Sequence, residues 1–151
     1  MPWPVPKVTP QLQQRWVQHA RDEYKDMLPD FHVSPEVDGL FQEMLDTCRE
    51  EKIEVIGLLR MPEGSEFRKL YSPEAARAID SFLKRLCEKN HTQLIDASQW
   101  LSDDCFADSH HLWPKGAERF SLRLWDEVLE KHVYGVRPSQ VASVPKIEDG
   151  K

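Results

Sequence analysis

Two short apolar segments, separated by the pattern of an amphipathic helix, constrain the fold of this chain more than any other feature. Residues 53–61 and residues 92–97 are too short for a typical helix and rich in branched apolar side chains, which predicts strands. Residues 53–61 are apolar at most positions, as in strands that are covered on both faces. The order strand, helix, strand is typical of parallel pairs, which need a crossover connection. We therefore predict an α/β fold in which these two segments are neighbouring parallel strands.

Four stretches around these strands carry apolar residues at steps of three or four, the period of an amphipathic helix. We predict helices over residues 11–28, 35–51, 73–89 and 114–131, with Pro29 ending the first. Two of them begin alike, since Ser34-Pro35 and Ser72-Pro73 each supply an N-cap followed by proline at the first helical position. The inward side chains predicted for the second and last helices are Val37, Leu40, Phe41, Met44, Leu45 and Cys48, and Ala117, Phe120, Leu124 and Val128.

Length and composition limit the chain to a single folded unit. It has 151 residues, of which 40% are hydrophobic and 30% charged, and this is enough for one core of modest size. Repeated prolines predict an extended N-terminal arm over residues 1–10. A lack of apolar periodicity predicts a flexible tail over residues 134–151. The α/β domain is therefore expected to span residues 11–133.

Charge and residue content argue against several classes of function. A net charge of −6 and a sequence pI near 5.5 disfavour binding to the phosphate backbone of nucleic acids. No apolar run reaches the roughly 18 residues needed to cross a bilayer. The three cysteines are an odd number without Cys-x-x-Cys spacing, so neither a disulfide framework nor a zinc knuckle is encoded. We predict no cofactor, and the sequence does not define a cellular compartment.

The segment between the second strand and the last helix contains the candidate catalytic residues. Asp108 precedes His111 by three residues, in a loop of the kind that forms sites at the carboxyl edge of parallel sheets. At this spacing an aspartate can accept a hydrogen bond from the imidazole Nδ1–H and leave Nε2 as a general base for a serine hydroxyl. The three-residue spacing makes His111 the predicted partner of Asp108. The alternative is that Asp108 only accepts hydrogen bonds from backbone donors near the helix N-terminus.

This segment resembles the C-terminal block of the SGNH (GDSL-type) hydrolase superfamily. The resemblance rests on Asp108-Ser-His-His111, Leu112 and Gly116-Ala117, and the segment over residues 58–68 is similar to a strand and loop of a bacterial branch of that superfamily. It covers roughly residues 36–130. The resemblance implies a three-layer, flavodoxin-like half-domain that hydrolyses or transfers an ester-linked acyl group, with an acylated carbohydrate or another ester as substrate. It also implies that His111 is the base and Asp108 its orienting acid, and that His110 is the more solvent-facing ring.

The chain departs from this family in lacking the nucleophile. It contains neither a Gly-Asp-Ser block nor a Gly-x-Asn-Asp block, which in the family supply the serine and an oxyanion donor. We expect the missing part to lie before Met1 and the chain alone to be inactive, because the members of a catalytic triad act as a unit. Ser65 is a weak candidate for a substitute nucleophile, since Gly-Ser in a polar loop is usually a turn. The neighbouring Glu63, Glu66 and Arg68 are interpreted as solvated or substrate-rim groups.

Two further interpretations remain open at this point. Several metal-ligand types fall within nine residues, but adjacent histidines in an extended loop point in different directions, so we predict no metal site. The ligand types belong to Asp103, Asp104, Cys105, Asp108, His110 and His111. The alternative to an enzyme is a non-catalytic binding or assembly module. Two strands alone leave open sheet edges, through which such a module would form a homodimer.

Overall fold

The computed structural model describes residues 9–135, which form a mixed fold of helices and two strands. The elements in chain order are α1 (Pro10–Tyr24), α2 (Pro35–Glu50), β1 (Gly57–Arg60), α3 (Ser65–Arg68), α4 (Pro73–Lys89), β2 (Gln93–Asp96), a 3₁₀ turn (Asp103–Cys105), α5 (Pro114–Leu124), a π-helical segment (Trp125–Leu129) and α6 (Glu130–Tyr134). The predicted arm and tail lie outside the described residues, except that Pro10 opens α1 and Tyr134 ends α6. No helix within residues 9–135 is long and apolar enough to cross a membrane.

The two strands pair in parallel, as the sequence predicts. Gly57 lies opposite Gln93 and Arg60 lies opposite Asp96. The strands are shorter than predicted, with four residues each. Ile53, at the start of the predicted first strand, is 58% exposed. β1 is half-buried along its whole length, so the prediction of a strand covered on both faces is wrong.

Both strands are preceded by a helix that begins in the same way. Ser34 Oγ accepts a hydrogen bond from the Val37 N–H at 3.3 Å, and Ser72 Oγ accepts one from the Ala75 N–H at 3.1 Å. Each serine thus satisfies a backbone donor that has no partner within the helix. The prolines that follow fit the first helical position, where no N–H is required.

The same two helices also end alike. Lys52 after α2 and His91 after α4 adopt positive φ angles of 58° and 54°. Such a left-handed residue turns the chain so that the next N–H bonds back to a helix carbonyl. These bonds run from Ile53 to Cys48 at 2.7 Å and from Thr92 to Cys87 at 3.0 Å. The chain is therefore built from two similar helix-to-strand units, α2 with β1 and α4 with β2.

A small apolar core joins these two units. Its buried members Leu45 on α2 and Phe82 and Leu86 on α4 contact Leu58 of β1. Other α2 side chains that the periodicity predicts to be inward are exposed, and these are Val37, Leu40, Phe41 and Met44. Helix α2 meets the core along one edge of its apolar stripe, and no other element described by the structure covers the rest of it.

The first and last helices differ from their predicted extents. Helix α1 ends at Tyr24, well before Pro29, because the N–H groups of Met27 and Leu28 both bond to the Tyr24 carbonyl in a turn. The last helix contains the π-helical segment and continues to Tyr134. Within it Phe120 is buried as predicted, whereas Ala117, predicted to be inward, is exposed.

Candidate active site

The loop after β1 and the loop after β2 meet at the carboxyl edge of the sheet, where hydrogen bonds hold them together. The loop after β1 donates hydrogen bonds from the Glu63 N–H to the Ser98 carbonyl at 3.1 Å and from the Gly64 N–H to the Ser109 carbonyl at 2.7 Å. A Cβ atom at Gly64 would lie 2.7 Å from the Ser109 oxygen, so only glycine allows this approach. The loop after β2, which carries Asp108, is thus held against the end of β1.

The loop after β2 is closed on itself at its base. Phe106 and Leu112 form an antiparallel bridge, and the Ala107 N–H donates to the His111 carbonyl at 2.8 Å. Helix α5 begins against this base, where a Cβ at Gly116 would lie 2.2 Å from the Cys105 carbonyl oxygen. The close approach of α5 therefore requires glycine at position 116, which accounts for one member of the Gly116-Ala117 pair.

Asp108 is the centre of the hydrogen bonds inside this loop. Its Oδ1 accepts the backbone N–H groups of His110 at 3.2 Å and His111 at 2.8 Å, and its Oδ2 lies 2.7 Å from His111 Nδ1. Burial opposes ionisation of Asp108, but the hydrogen bonds from the His111 ring and from the two backbone groups outweigh it and hold the pKa of Asp108 below its ordinary value. Ser109 turns the chain with a positive φ of 79°.

This arrangement confirms that His111 is the histidine hydrogen-bonded to Asp108. The His111 side chain is 70% exposed. Because Nδ1 is engaged by Asp108, Nε2 is the ring nitrogen that remains for a substrate. The geometry provides an oriented imidazole at the sheet edge, backed by an ionised carboxylate.

The prediction that His110 is the solvent-facing ring is wrong. Its side chain is only 17% exposed. The ring stacks on Phe67 with a centroid distance of 4.7 Å and meets the edge of Tyr24 at 5.3 Å. Burial lowers the pKa of His110, and its Nδ1 is buried without a hydrogen-bond partner. Aromatic residues of α1 and α3, which local spacing does not reveal, cover this ring.

A cleft of about 340 Å³ lies between α1 and the loop that carries Asp108. Its α1 wall includes Trp16, whose ring packs 5.7 Å from that of Trp113. The lining residues are Trp16, His19, Ala20, Glu23, Tyr24, Asp108, His110 and His111. Sequence reasoning missed the contribution of α1. The available signal was the spacing of His19 and Glu23, which are four residues apart and so share one helical face.

Ser65 is hydrogen-bonded to Asp103 and makes no hydrogen bond to His111 in the part of the chain that the structure describes. It is the first residue of α3, a short helix that sequence reasoning took for a loop. Its Oγ donates to Asp103 Oδ2 at 2.5 Å, and its N–H donates to Asp103 Oδ1 at 2.6 Å. These bonds lower the pKa of Asp103. Ser65 thus links α3 to the 3₁₀ turn, in contact with a carboxylate and not an imidazole.

The structure divides the residues that could bind a metal into two groups. Asp103 is bonded to Ser65, Asp104 is bonded to Lys115 at 2.9 Å, and Cys105 is buried. Asp108, His110 and His111, in contrast, offer ligand atoms that all lie within 4.8 Å of one another. The two histidine rings are 4.0 Å apart between centroids. The expectation that adjacent histidines point apart is therefore wrong for this loop.

Two residues interpreted as solvated or rim groups belong to a half-buried polar network. Glu63 is 16% exposed and pairs with Arg60, which also bonds Asp80 at 2.7 Å. The Tyr71 hydroxyl donates to Glu63 at 3.0 Å, and burial together with Glu63 raises the pKa of Tyr71. Arg68 donates to the carbonyls of Glu63 and Ser98, so this network fixes both loops at the sheet edge.

Comparison with known proteins identifies a family and no activity. No curated protein and no solved structure shows significant similarity to the chain. One sequence-family model, that of an uncharacterised family, matches residues 19–133, a range that holds Asp108, His111 and the α1 residues Glu23 and Tyr24. Because this match covers most of the chain, the protein belongs to that uncharacterised family.

Proposed function

We propose that Asp108 and His111 are the orienting acid and the general base of an ester-hydrolysing or acyl-transferring site. The observation that carries the proposal is the 2.7 Å contact between Asp108 Oδ2 and His111 Nδ1, in a carboxylate that also accepts two backbone N–H groups. The proposed domain is of the three-layer, flavodoxin-like kind that the resemblance to SGNH hydrolases implies. The parallel strands and the position of the loop at their carboxyl edge support it.

In the proposed mechanism each residue acts on one proton. Asp108 holds the imidazole with the proton on Nδ1, so Nε2 accepts a proton from an attacking hydroxyl. The ionised carboxylate then stabilises the imidazolium that forms. In this proposal a separate serine-bearing segment supplies the hydroxyl and the oxyanion donors, because Ser65 is bonded to Asp103 and not to His111. We propose an O-acetylated carbohydrate as substrate, because Trp16 lines the cleft and aromatic rings are large apolar surfaces on which a sugar ring can pack.

The role of His111 as the base can be tested on this chain without added segments. The substrate is the activated ester p-nitrophenyl acetate, and the assay contains EDTA. An oriented, exposed imidazole attacks such an ester without a serine. We expect slow hydrolysis above the buffer rate, with most of it lost in His111→Ala and a smaller loss in Asp108→Asn. His32→Ala is the matched control, because it removes an exposed histidine that does not line the cleft. An unchanged rate in His111→Ala would refute the role of His111.

A fluorophosphonate probe tests where the nucleophile comes from. We expect no labelling of the chain, whereas labelling that is lost in Ser65→Ala would place the serine inside it. When a serine-bearing segment is supplied, His111→Ala should lower kcat by on the order of 10³ or more, as removal of a triad base does.

A second candidate function is a non-catalytic assembly module. The observation that favours it is the sheet itself, which within residues 9–135 has two strands, each paired on one side; β1 is half-buried and β2 is exposed at both ends. The exposed apolar side chains of α2 add to the uncovered surface. An open strand edge is a template for pairing with another chain.

A further inference from the structure

The loop that carries Asp108 has a second property, which general-base chemistry does not require. One ligand atom of Asp108, one of His110 and one of His111 lie within 4.8 Å of one another. His111 Nδ1 is 2.7 Å from Asp108 Oδ2, and His110 Nδ1 is 3.4 Å from Asp108 Oδ1. Zinc–ligand bonds of about 2.0 to 2.2 Å place the ligand atoms of a tetrahedral site roughly 3.3 Å apart. Small side-chain rotations therefore suffice to bring the three groups around one ion.

The chemical identity of the three groups matches a particular class of metal. Two imidazoles and one carboxylate are typical of zinc and other divalent transition metals, and they differ from the all-oxygen sets that bind calcium or magnesium. The carboxylate is already oriented by the backbone N–H groups of His110 and His111, as the outer hydrogen bonds of metal sites orient their ligands.

His110 provides an independent observation. Its Nδ1 is buried and has no hydrogen-bond partner. A buried polar atom without a partner is unfavourable, and native proteins rarely leave one unexplained. The nitrogen lies on the Asp108 side of the ring, where a bound ion would satisfy it. The aromatic contacts with Phe67 and Tyr24 hold the ring in this orientation.

The surroundings leave room for further ligands. The three groups line the cleft of about 340 Å³ beside α1, which has space for water molecules. Glu23 and His19 line the same cleft from α1. A tetrahedral ion held by three side chains retains one position for water or for a fourth side chain.

We propose that Asp108, His110 and His111 form a binding site for a divalent transition-metal ion of the zinc type. The ion takes the place of the proton between Asp108 Oδ2 and His111 Nδ1, and that proton moves to Nε2 of the neutral ring. Nε2 then has no free lone pair to accept a proton from a hydroxyl, so the occupied site blocks the general base. Metal binding itself does not depend on the proposed enzymatic function, because it can be measured directly.

Isothermal titration with zinc chloride, after treatment of the protein with EDTA and removal of the chelator, tests the site. We expect one ion per chain, with affinity at least about tenfold weaker in Asp108→Asn, His110→Phe and His111→Ala. His110→Phe preserves the stacked ring, and circular dichroism checks that each variant is folded. Asp104→Asn and His32→Ala are matched controls, which remove an acid and a histidine outside the cluster and should bind as the wild type does. Glu23→Gln reports whether α1 supplies the fourth ligand.

Two outcomes would overturn the metal site. One is the absence of zinc binding up to about 1 mM. The other is equal binding by the wild type and the three cluster variants, which would place the ion elsewhere. Either outcome leaves the ester assay unaffected, because that assay is run in EDTA. Conversely, zinc binding in a protein without His111-dependent ester hydrolysis would support the metal site and refute the general base.

Discussion

At the scale of single residues, His110 and His111 are adjacent in sequence and occupy opposite environments. His111 extends into solvent from its contact with Asp108, whereas His110 is enclosed by Phe67 and Tyr24. Burial among rings favours the neutral imidazole and disfavours the protonated one. The protonation of His110 should therefore oppose folding, although the nearby Asp108 carboxylate partly offsets this effect.

We expect the free energy of unfolding to decrease as the pH falls below about 6.5, because of His110. Burial lowers the pKa of folded His110, so the unfolded chain takes up the proton first. The contribution of neutral His110 to the free energy of unfolding is fully present above about pH 6.5. It is lost progressively as the pH falls towards the lower pKa of His110 in the folded state. His110→Phe keeps the stacked ring without the titrating group and should weaken this dependence. Urea unfolding at about pH 7.5 and about pH 5.5 measures the difference.

His32→Phe serves as the control for this experiment, since it introduces the same side chain at an exposed histidine. The pH dependence should persist in this control. Identical pH dependence in the wild type and in His110→Phe would show that the burial of His110 does not contribute.

The pairing of Asp108 with His111 was predictable because it depends on a spacing of three residues within one loop. The burial of His110 was not, because it depends on Phe67 and Tyr24, which come from α3 and α1. The loop geometry was not predictable either, since Ser109, just before the two histidines, has a positive φ that serine seldom adopts. Sequence spacing thus identified the pair and missed the environment that determines its chemistry.

At the scale of the elements, α2 and α4 share their N-caps and their left-handed terminal residues. The N-caps were predictable from Ser-Pro pairs, but the termination was not, because Lys52 and His91 occupy positions that usually hold glycine. The predicted strand at residues 53–61 was too long, since pairing starts only at Gly57. Helix α3 was missed because four residues are too few to show a helical period.

We expect Lys52→Gly and His91→Gly each to raise the stability of the protein by about 0.5 to 1 kcal/mol. Both residues have a positive φ, which glycine adopts without the steric conflict of a Cβ atom. Thermal unfolding measures the gain. Lys84→Gly, at an exposed position inside α4, should lower stability by about 1 kcal/mol and controls for the general effect of glycine. A decrease in both terminal variants would contradict the steric explanation.

At the scale of the whole molecule, the described chain leaves much apolar surface uncovered for its size. The sheet has two strands within residues 9–135, and most of the α2 stripe is exposed. Hydrophobic periodicity predicted the four longer helices, although not the ends of the first and last, and could not show which stripes would find a partner, because that depends on how elements pack in three dimensions. The apolar stripe of α2, which in the sequence predicts a buried face, is largely exposed in the structure.

The assembly-module hypothesis makes a definite prediction for this surface. If strands pair between copies, light scattering coupled to size exclusion should show a dimer whose population increases with concentration. Backbone amides of β1 or β2 should exchange more slowly in the dimer, while those of α5 should not change. A folded monomer at all concentrations would contradict pairing through the sheet edge.

Helix α1 reaches the candidate site from the opposite end of the chain, and this sets an order of events during folding. The Gln13 side chain donates to the Phe106 carbonyl at a sequence separation of 93 residues, whereas β1 and β2 are joined by the shorter crossover that contains α3 and α4. Closing a longer loop loses more conformational entropy, so we expect strand pairing to precede the docking of α1. Substitutions in α1 should then accelerate unfolding more than they slow folding. The cleft beside Asp108 and His111 would accordingly form in the last step, after the rest of the domain.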